Sequence, residues 1–336
     1  MRHTDALEVT TTVSLPMSET SQPGEARRAA MRLASRAGLD DEAAGKVGIA
    51  VTEAASNVVK HGRGGNVILR MLRDGEGDGV EMLALDRGAG MANIGECLRD
   101  GYSTSGTPGT GLGAIRRLSS EFDVHSIPGV GTAVLARFWN LAPPKPGVEV
   151  GAVCVAKPGE LVCGDAWAVA RRAGVTVILI VDGLGHGVPA SDAAAAGLGA
   201  FAASRIAEPR VVLEEIHAAL RPTRGAAVAV AALDPRRRVV DYAGLGNIAG
   251  AVLADGRMRH MVSHNGIAGH EARRLNEFSY PWPDGALIVL HSDGLGTHWD
   301  LGRYPGLIQR EPSLIAGVLY RDFARRRDDV VVVVAR

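Results

Sequence analysis

A proline-rich segment most strongly limits how this chain can fold. Residues 141–147 read LAPPKPG, with three prolines in seven positions. Proline removes a backbone donor and fixes φ, so such a segment forms a semi-rigid extended connector and not the interior of a helix or sheet. It divides the 336 residues into two parts, each long enough to bury a core of its own. We therefore expect one domain at 1–140, a linker at 141–147 and a second domain at 148–336.

The overall composition removes several classes of function. Lys and Arg number 37, as do Asp and Glu, so no net basic field favours a nucleic-acid or membrane partner. Aromatic residues make up 4%, which leaves few platforms for base stacking. Three cysteines without CxxC spacing predict neither a disulfide framework nor a zinc site, and they favour a reducing compartment. Because the sequence has neither an apolar run of ~18 residues nor a signal-peptide core, we expect a cytoplasmic protein.

The hydrophobic periodicity differs between the two parts. In the first, a strand at 7–13 is followed by helical spacing at 25–39 and 40–62 and then by further strands. This order predicts helices stacked on one face of a mixed sheet, an α+β architecture. In the second, apolar strands flank central helices at 191–206 and 210–220. That pattern predicts a sandwich of two sheets with helical outer layers.

Three polar residues lie four apart on the second helix of the first part. Glu53, Asn57 and His61 in EAASNVVKH share one helix face, because four residues nearly complete a turn. An Asn amide oxygen suits Mg2+, which takes few protein ligands and completes its octahedron with water and phosphate oxygens. Glu53 is placed to orient or deprotonate an attacking hydroxyl. Taken alone, the three are equally typical of a solvated helix face, and we expect His61 to be a helix-end residue.

Two glycine-rich segments further along the chain favour a nucleotide. Asp86 closes an apolar strand in DRGAG, where its carboxylate can accept from an adenine amino group while Gly88 and Gly90 let the base approach the backbone. The GTGLG segment at 109–113 opens a helix, whose bare amides and dipole suit phosphates. In this order the three motifs predict a pocket for ATP and Mg2+.

On these motifs the first 140 residues resemble the GHKL ATPase superfamily, which includes gyrase, Hsp90 and histidine kinases, and within it the RsbT-type switch serine kinases. The resemblance implies a Bergerat α/β sandwich with Asn57 as the Mg2+ ligand, Glu53 as the catalytic base and Asp86 as the adenine contact. It further implies phosphate and lid glycines at Gly88, Gly90, Gly109, Gly111 and Gly113, and a water-mediated adenine contact at Thr132. An ordinary strand threonine explains Thr132 equally well.

Widely spaced aspartates mark the second part. Asp165 follows a glycine in CGDAW, Asp182 ends VTVILIVD, Asp293 ends ALIVLHSD, and Asp328 and Asp329 precede the terminal strand. Aspartates at the ends of apolar strands can converge at one mouth of a sheet sandwich, which is the arrangement that two divalent cations need. A turn-forming Asp-Gly pair explains any one of them, but it explains the whole set poorly.

Together with DGLGHG, GLGNIAG, SHNGIAG and HSDGLG, these aspartates resemble the SpoIIE-like branch of the type 2C metal-dependent serine/threonine phosphatases, which have an αββα sandwich. The resemblance implies Asp182 as the catalytic ligand that bridges two Mn2+ or Mg2+ ions, with Gly183 contributing its carbonyl to one of them. The other implied ligands are Asp165 on that same metal, and Asp293 and Asp328 on the second.

Three nearby residues have open roles. The family pattern favours Asp328 over Asp329 as the ligand, but both remain candidates. His186 either protonates the leaving serine oxygen or merely packs in its loop. Asn247 is expected to cap a turn.

The two resemblances imply a bacterial partner-switching regulator of a stress response. Its first domain would phosphorylate a STAS-type antagonist protein with ATP, and its second would dephosphorylate the same or a related protein. Alternatively, the first domain senses nucleotide or binds a sigma factor without transferring phosphate, as an anti-sigma module would. A metal-free scaffold role for the second domain is disfavoured by its full set of aspartates.

Overall fold

A computed structural model of the chain describes residues 7–8, 12–73, 77–99, 111–141, 147–272 and 274–336. The chain divides into two compact units. The first unit comprises Thr10–Pro144 and Arg303–Arg321, and the second comprises Met1–Val9, Lys145–Gly302 and Asp322–Arg336.

Strands and helices are numbered along the chain, within the described residues. The strands are β1 (Leu7–Glu8), β2 (Thr12–Met17), β3 (Gly65–Arg73), β4 (Asp78–Asp86), β5 (Glu121–Ile127), β6 (Gly131–Trp139), β7 (Val150–Val155), β8 (Asp165–Arg172), β9 (Val175–Gly183), β10 (Ala226–Asp234), β11 (Val239–Leu245), β12 (Ala249–Ala254), β13 (Arg257–Met261), β14 (Ser263–His264), β15 (Phe278–Pro281), β16 (Leu287–His291) and β17 (Val330–Ala335). The helices are α1 (Gln22–Arg36), α2 (Asp41–His61), α3 (Ile94–Cys97), α4 (Gly111–Leu118), α5 (Val188–Ala203), α6 (Pro209–Leu220) and α7 (Pro312–Phe323).

The first unit is built on an antiparallel sheet with strand order β2-β3-β4-β6-β5. Helices α1 and α2 bury their apolar faces, with Leu33 and Val51 among them, in one core with strand residues such as Leu69 and Met82. Helix α2 begins cleanly because the Asp40 carboxylate accepts a hydrogen bond from the Ala43 amide at 2.8 Å. This helix–sheet packing carries the predicted nucleotide residues on α2 and at the end of β4.

The opposite face of β4 packs against a segment from late in the chain. Leu83 and Leu85 point away from α1 and α2, because side chains alternate along a strand. A Cβ atom on Gly317 of α7 would lie 3.0 Å from Leu85 Cδ2 and 3.6 Å from Leu83 Cδ1. A glycine at this position therefore allows the helix to approach the sheet closely.

The compact units of the structure differ from the predicted domain boundaries at residues 303–321. The sequence placed residues 303–321 in the second domain, whereas the structure groups them with the first unit. The physical reason is a set of hydrogen bonds that no local pattern reveals: Glu311 N donates to Asp123 Oδ2 at 2.9 Å, and His125 Nε2 lies 3.1 Å from the Pro305 carbonyl. Of the expected linker, residues 142–146 lie outside the described part of the chain.

The second unit contains two sheets and two covering helices. One sheet has the order β1-β8-β9-β10-β11-β14, with β15 also paired to β11, and the other has the order β13-β12-β16-β17-β7. Their inner faces share a core that includes Trp167, Ile180, Leu290 and Val333. Helices α5 and α6 cover the outer face of the first sheet. The expected strand at 7–13 is divided, since β1 pairs with β8 in this unit and β2 pairs with β3 in the first.

A buried ion cluster ties α7 to the sheet of the first unit. Glu81 of β4 is 1% exposed and accepts hydrogen bonds from Arg70 Nε at 3.0 Å, Arg137 Nε at 2.8 Å and Ser313 Oγ at 2.8 Å. Burial alone would raise the pKa of the Glu81 carboxyl, but the charges of Arg70 and Arg137 outweigh it and lower that pKa. The cluster therefore stays ionised in the core.

We expect Glu81→Gln to lower the free energy of unfolding of the first unit by about 3–5 kcal/mol, because it leaves two buried guanidinium groups undercompensated. The matched control is Glu42→Gln, which removes an exposed pair with Lys46 (2.7 Å) and should cost less than about 1 kcal/mol. Urea titration of the full chain, read out by hydrogen exchange in β4, measures both. Equal losses in the two variants would contradict a structural role for the cluster.

Candidate nucleotide pocket and metal centre

The predicted Mg2+ ligand, Asn57, lies beside the first residue of helix α4. Glu53 and Asn57 are both half-buried on α2. A Cβ atom on Gly111, the first residue of α4, would lie 3.2 Å from Asn57 Nδ2. The first residue of α4 therefore directly adjoins the Asn57 amide, and Gly113 is buried one half-turn further on. Gly109 lies outside the described residues, so its predicted role is untested.

Asp86 is held by the backbone at the end of β4. Its Oδ1 accepts from Gly88 N at 2.8 Å and from Thr132 N at 3.2 Å. Within the described part of the chain no group donates to Oδ2, which is available to an exocyclic amino group. Burial raises the pKa of Asp86, only partly opposed by the two backbone hydrogen bonds and the Arg321 charge. The geometry fits the adenine contact expected for this residue.

The glycines after Asp86 stand where side chains would collide with backbone. A Cβ atom on Gly88 would lie 2.2 Å from the His61 carbonyl oxygen, and one on Gly90 would lie 2.1 Å from that of Ile127. Gly90 also has φ of +68°, in the left-handed region. These two positions thus require glycine for the loop to close against α2 and β5.

Thr132 contributes its backbone as well as its side chain. Its amide fixes Asp86, and its Oγ1 lies 2.9 Å from Ser126 Oγ. Ser126 in turn accepts from Met91 N at 2.8 Å, which links β5 to the segment after Gly90. Ser126 was not predicted, because a serine within a strand gives no sequence signal.

The predicted metal ligands lie in pairs at strand ends. Asp165 begins β8 and faces Asp182 near the end of the antiparallel neighbour β9, and the two are direct register partners. Asp293 follows β16, and Asp328 precedes its antiparallel neighbour β17. Antiparallel strands place the end of one beside the start of the next. Each sheet of the sandwich therefore contributes two carboxylates.

These carboxylates repel one another. Burial first, and then the charges of Asp293, Asp328 and Asp329, raise the pKa of Asp182 to about 7. Burial and the charge of Asp182 raise the pKa of Asp165 well above its ordinary range. Among the described residues no three Asp, Glu, His or Cys side chains already converge at metal-ligand spacing. Divalent cations would offset this repulsion, and the donor set, all oxygen, suits Mg2+ or Mn2+.

Asp328 and Asp329 differ sharply in their surroundings. Asp329 is 2% exposed, and its two oxygens accept from Lys157 N at 2.8 Å and Gly164 N at 3.0 Å. Asp328 is exposed and accepts from the Asp329 amide at 3.0 Å. Asp329 is thus occupied in holding the loop between β7 and β8, which leaves Asp328 as the member of the pair that is accessible to a cation.

A histidine–carboxylate pair lies in the loops beside this centre. His186 Nδ1 is 2.7 Å from Glu160 Oε1, and both belong to segments that adjoin predicted ligands. Glu160 is in the loop that Asp329 holds, and His186 is three residues beyond Gly183. With Nδ1 donating to Glu160, Nε2 is the ring nitrogen left for other partners.

Two family matches cover most of the chain. Residues 17–138 match the histidine kinase-like ATPase domain family, and residues 172–336 match stage II sporulation protein E, SpoIIE. The serine/threonine-protein kinase RsbT of Bacillus subtilis (strain 168) is 31% identical over 114 residues, which are 34% of this chain and 86% of RsbT. The chain belongs to the RsbT-like family of histidine kinase-like ATPases.

A solved structure is also similar. It is described as "The bacterial stressosome: a modular system that has been adapted to control secondary messenger signaling", and it shares 30% identity with a TM-score of 0.53, covering 56% of this chain and 99% of its own. The chain thus joins an RsbT-like ATPase domain to a SpoIIE-type phosphatase domain. Both family assignments made from the sequence, and the α+β fold class, are confirmed. Within the described residues, no helix combines the length and the apolar character that a membrane crossing requires.

The SpoIIE-type unit contains supporting residues that sequence reasoning missed. Ser292 Oγ donates to Asp165 Oδ2 at 2.6 Å and accepts from Val331 N at 3.1 Å, so it joins the two sheets at the site. Asn247 Nδ2 donates to Asp293 Oδ2 at 2.8 Å and orients a predicted ligand, whereas a turn cap was expected. Both stand in family motifs, HSDGLG and GLGNIAG, whose sequence does not reveal which carboxylates they contact.

The raised pKa of Asp182 predicts how the metal-free chain responds to pH. Its folded value of about 7 lies above the ordinary 3.8, so the folded state binds this proton more tightly than the unfolded state. The resulting stabilisation is complete below about pH 4 and is lost as pH rises toward 7. Relative to Asp182→Asn, the wild-type Tm in EDTA should fall by roughly 5 °C or more over this range.

Scanning calorimetry of both proteins from pH 4 to 7, with EDTA and then with Mn2+, measures this effect. Mn2+ should restore the wild-type Tm at pH 7 and leave Asp182→Asn nearly unchanged. Parallel pH profiles for the two proteins in EDTA would rule out carboxylate repulsion at this site.

Proposed function

We propose that this protein is a cytoplasmic, bifunctional partner-switching regulator. Its SpoIIE-type unit removes phosphate from phosphoserine or phosphothreonine on a STAS-type antagonist protein, and its RsbT-like unit transfers phosphate from ATP to such a protein. The observation that carries the proposal is the cluster of mutually repelling carboxylates at Asp165, Asp182, Asp293 and Asp328, because two divalent cations would offset that repulsion and support phosphate hydrolysis.

In the phosphatase, Asp165, Asp182, Asp293 and Asp328 would hold two Mg2+ or Mn2+ ions, together with the carbonyl oxygen of Gly183. The bound ions would supply a hydroxide nucleophile near neutral pH and shield the phosphoryl charge. Ser292 and Asn247 hold Asp165 and Asp293 in orientation, as partners of ligands do in other metal sites. The donors that retain the ions are thus themselves positioned by hydrogen bonds.

His186 would donate the proton that the leaving serine oxygen needs. Glu160 accepts from Nδ1 at 2.7 Å, which orients the ring and leaves Nε2 to face a partner. A seryl alkoxide is a poor leaving group and requires this proton, whereas an aryl oxide leaves without it. The requirement for His186 and Glu160 therefore depends on the substrate.

In the kinase, Asn57 would hold Mg2+ on the ATP phosphates and Glu53 would take the proton of the attacking hydroxyl. Asp86 Oδ2 would accept from the adenine amino group, in a loop that Gly88 and Gly90 close against the backbone. Phosphoryl transfer depends mainly on positioning and charge stabilisation. The start of α4, which adjoins Asn57, would offer its backbone amides to the phosphates.

One experiment tests both halves. The full chain is incubated with a STAS protein, in phosphorylated and unphosphorylated forms, with and without ATP and Mg2+, and the intact mass of the partner is followed. We expect gain of one phosphoryl group with ATP, abolished by Asn57→Ala, and loss of one without ATP, abolished by Asp182→Asn. Each variant is the control for the other activity. If the partner binds in the presence of ADP but no phosphoryl group is transferred to it, the RsbT-like unit is a nucleotide-dependent binding module and not a kinase.

The proton-donor role predicts a leaving-group effect. Glu160→Gln and His186→Asn should slow hydrolysis of a phosphoseryl peptide by about 100-fold or more, within the roughly 10²–10⁴ that a positioned acid contributes, because the seryl oxygen then leaves unprotonated. Hydrolysis of p-nitrophenyl phosphate should change little. Steady-state rates measure the difference in rate loss between the two substrates. The control variant Asn247→Ala, which removes a partner of a predicted metal ligand, should slow hydrolysis of both substrates. Equal losses on both substrates for Glu160→Gln would contradict the assignment.

A further inference from the structure

Two of the three cysteines stand side by side in the SpoIIE-type unit. Cys154 Sγ and Cys163 Sγ are 3.7 Å apart, and Cys154 also lies 3.4 Å from the Asp165 carbonyl oxygen. A disulfide needs a sulfur–sulfur distance of about 2.05 Å, so the two atoms would have to approach by roughly 1.6 Å. The third cysteine, Cys97, lies on α3 in the other unit.

The pair combines a fixed partner with a movable one. Cys154 is inside β7 and is the register partner of Val331 in β17, so its backbone is held by the sheet. Cys163 is in the loop before β8, two residues after the fully exposed Leu161. Both sulfur-bearing residues are half-buried, which admits a small oxidant. We expect Cys163 to make most of the movement.

Movement of Cys163 would act directly on the predicted metal ligands. The next residue, Gly164, donates its amide to Asp329 Oδ2 at 3.0 Å and accepts from the Gly183 amide at 3.1 Å. Asp165 follows it. A Cβ atom on Gly164 would lie 2.7 Å from both Ala190 Cβ and Asp329 Oδ2. The loop is therefore closely packed at this residue and cannot shift without moving its neighbours. Displacing Cys163 therefore shifts Gly183 and Asp165 together.

We propose that Cys154 and Cys163 are a reversible redox switch whose disulfide weakens divalent-cation binding at the Asp165–Asp182 site. The oxidant is hydrogen peroxide. One thiol is oxidised to a sulfenic acid with release of one water, and the second thiol then displaces the sulfenic oxygen as a second water. In total two thiols lose two electrons and two protons, and one peroxide is reduced to two waters.

A reducing compartment suits such a pair, because disulfides that form there are transient and regulatory. A dithiol reductant would reset the switch by thiol–disulfide exchange. The inference rests on the cation site of the proposed function, but it does not depend on the dephosphorylation proposed there.

The test uses the full chain, treated with hydrogen peroxide and then with dithiothreitol. Peptide mapping under non-reducing conditions should find a 154–163 cross-link two hydrogens lighter than the reduced pair, absent from Cys154→Ser and Cys163→Ser and retained in Cys97→Ser. Calorimetric titration with Mn2+ should show roughly 10-fold weaker binding after oxidation, as for other losses of support around a metal site. Dithiothreitol should reverse both changes.

The outcomes separate this inference from the proposed function. A cross-link with unchanged Mn2+ affinity, or sulfinic acid without a cross-link, would overturn the redox switch. A cross-link with weakened Mn2+ binding supports it, even if the reduced chain hydrolyses no phosphopeptide. In that last case the proposed phosphatase activity fails while the switch stands.

Discussion

Burial of carboxylates is the physical constraint on which both units depend, and the chain meets it in three ways. Glu81 is compensated by two guanidinium groups and a hydroxyl, so its pKa falls. Asp86 is held by two backbone amides on a single oxygen, so its pKa is raised and one oxygen stays available. Asp182 faces mainly other carboxylates, so its pKa rises to about 7. Only the last arrangement has an electrostatic need for a cation.

Two acidic residues on a single strand differ in whether all of their carboxylate oxygens are occupied by hydrogen-bond donors. Glu81 and Asp86 both belong to β4, five residues apart, and both are largely withdrawn from water. Every oxygen of Glu81 is used: Oε1 accepts from Arg70, and Oε2 accepts from Arg137 and Ser313. An acid with no remaining acceptor capacity fixes the fold, whereas one with an unused oxygen in a glycine-lined turn is suited to a ligand.

The sequence predicted the strand ends well and the long-range partners poorly. Asp182 and Asp293 could be placed because an apolar run followed by Asp is a local pattern, and antiparallel pairing then brings such ends together. The attachment of residues 303–321 to the first unit could not be predicted, since the Ser313–Glu81 hydrogen bond joins residues 232 positions apart. The local sequence around Asn247 predicts a turn cap, because its partner Asp293 is 46 residues away in sequence. Cys154 and Cys163 are nine apart and gave no CxxC signal, although a strand and a loop bring them into contact.

A kinase and a phosphatase acting on one phosphosite would hydrolyse ATP without net effect unless something separates them in time. The cysteine pair acts on one side only, because both of its members belong to the SpoIIE-type unit, while Cys97 is the cysteine of the RsbT-like unit. Oxidant would then weaken cation binding at Asp165 and Asp182 and leave Asn57 and Glu53 as they are. Under the proposed function the partner would accumulate in its phosphorylated form during oxidative stress and be dephosphorylated once thiols are restored. Because this switch lies beside the predicted metal ligands, oxidation would suppress only the phosphatase and leave phosphorylation by the kinase to prevail.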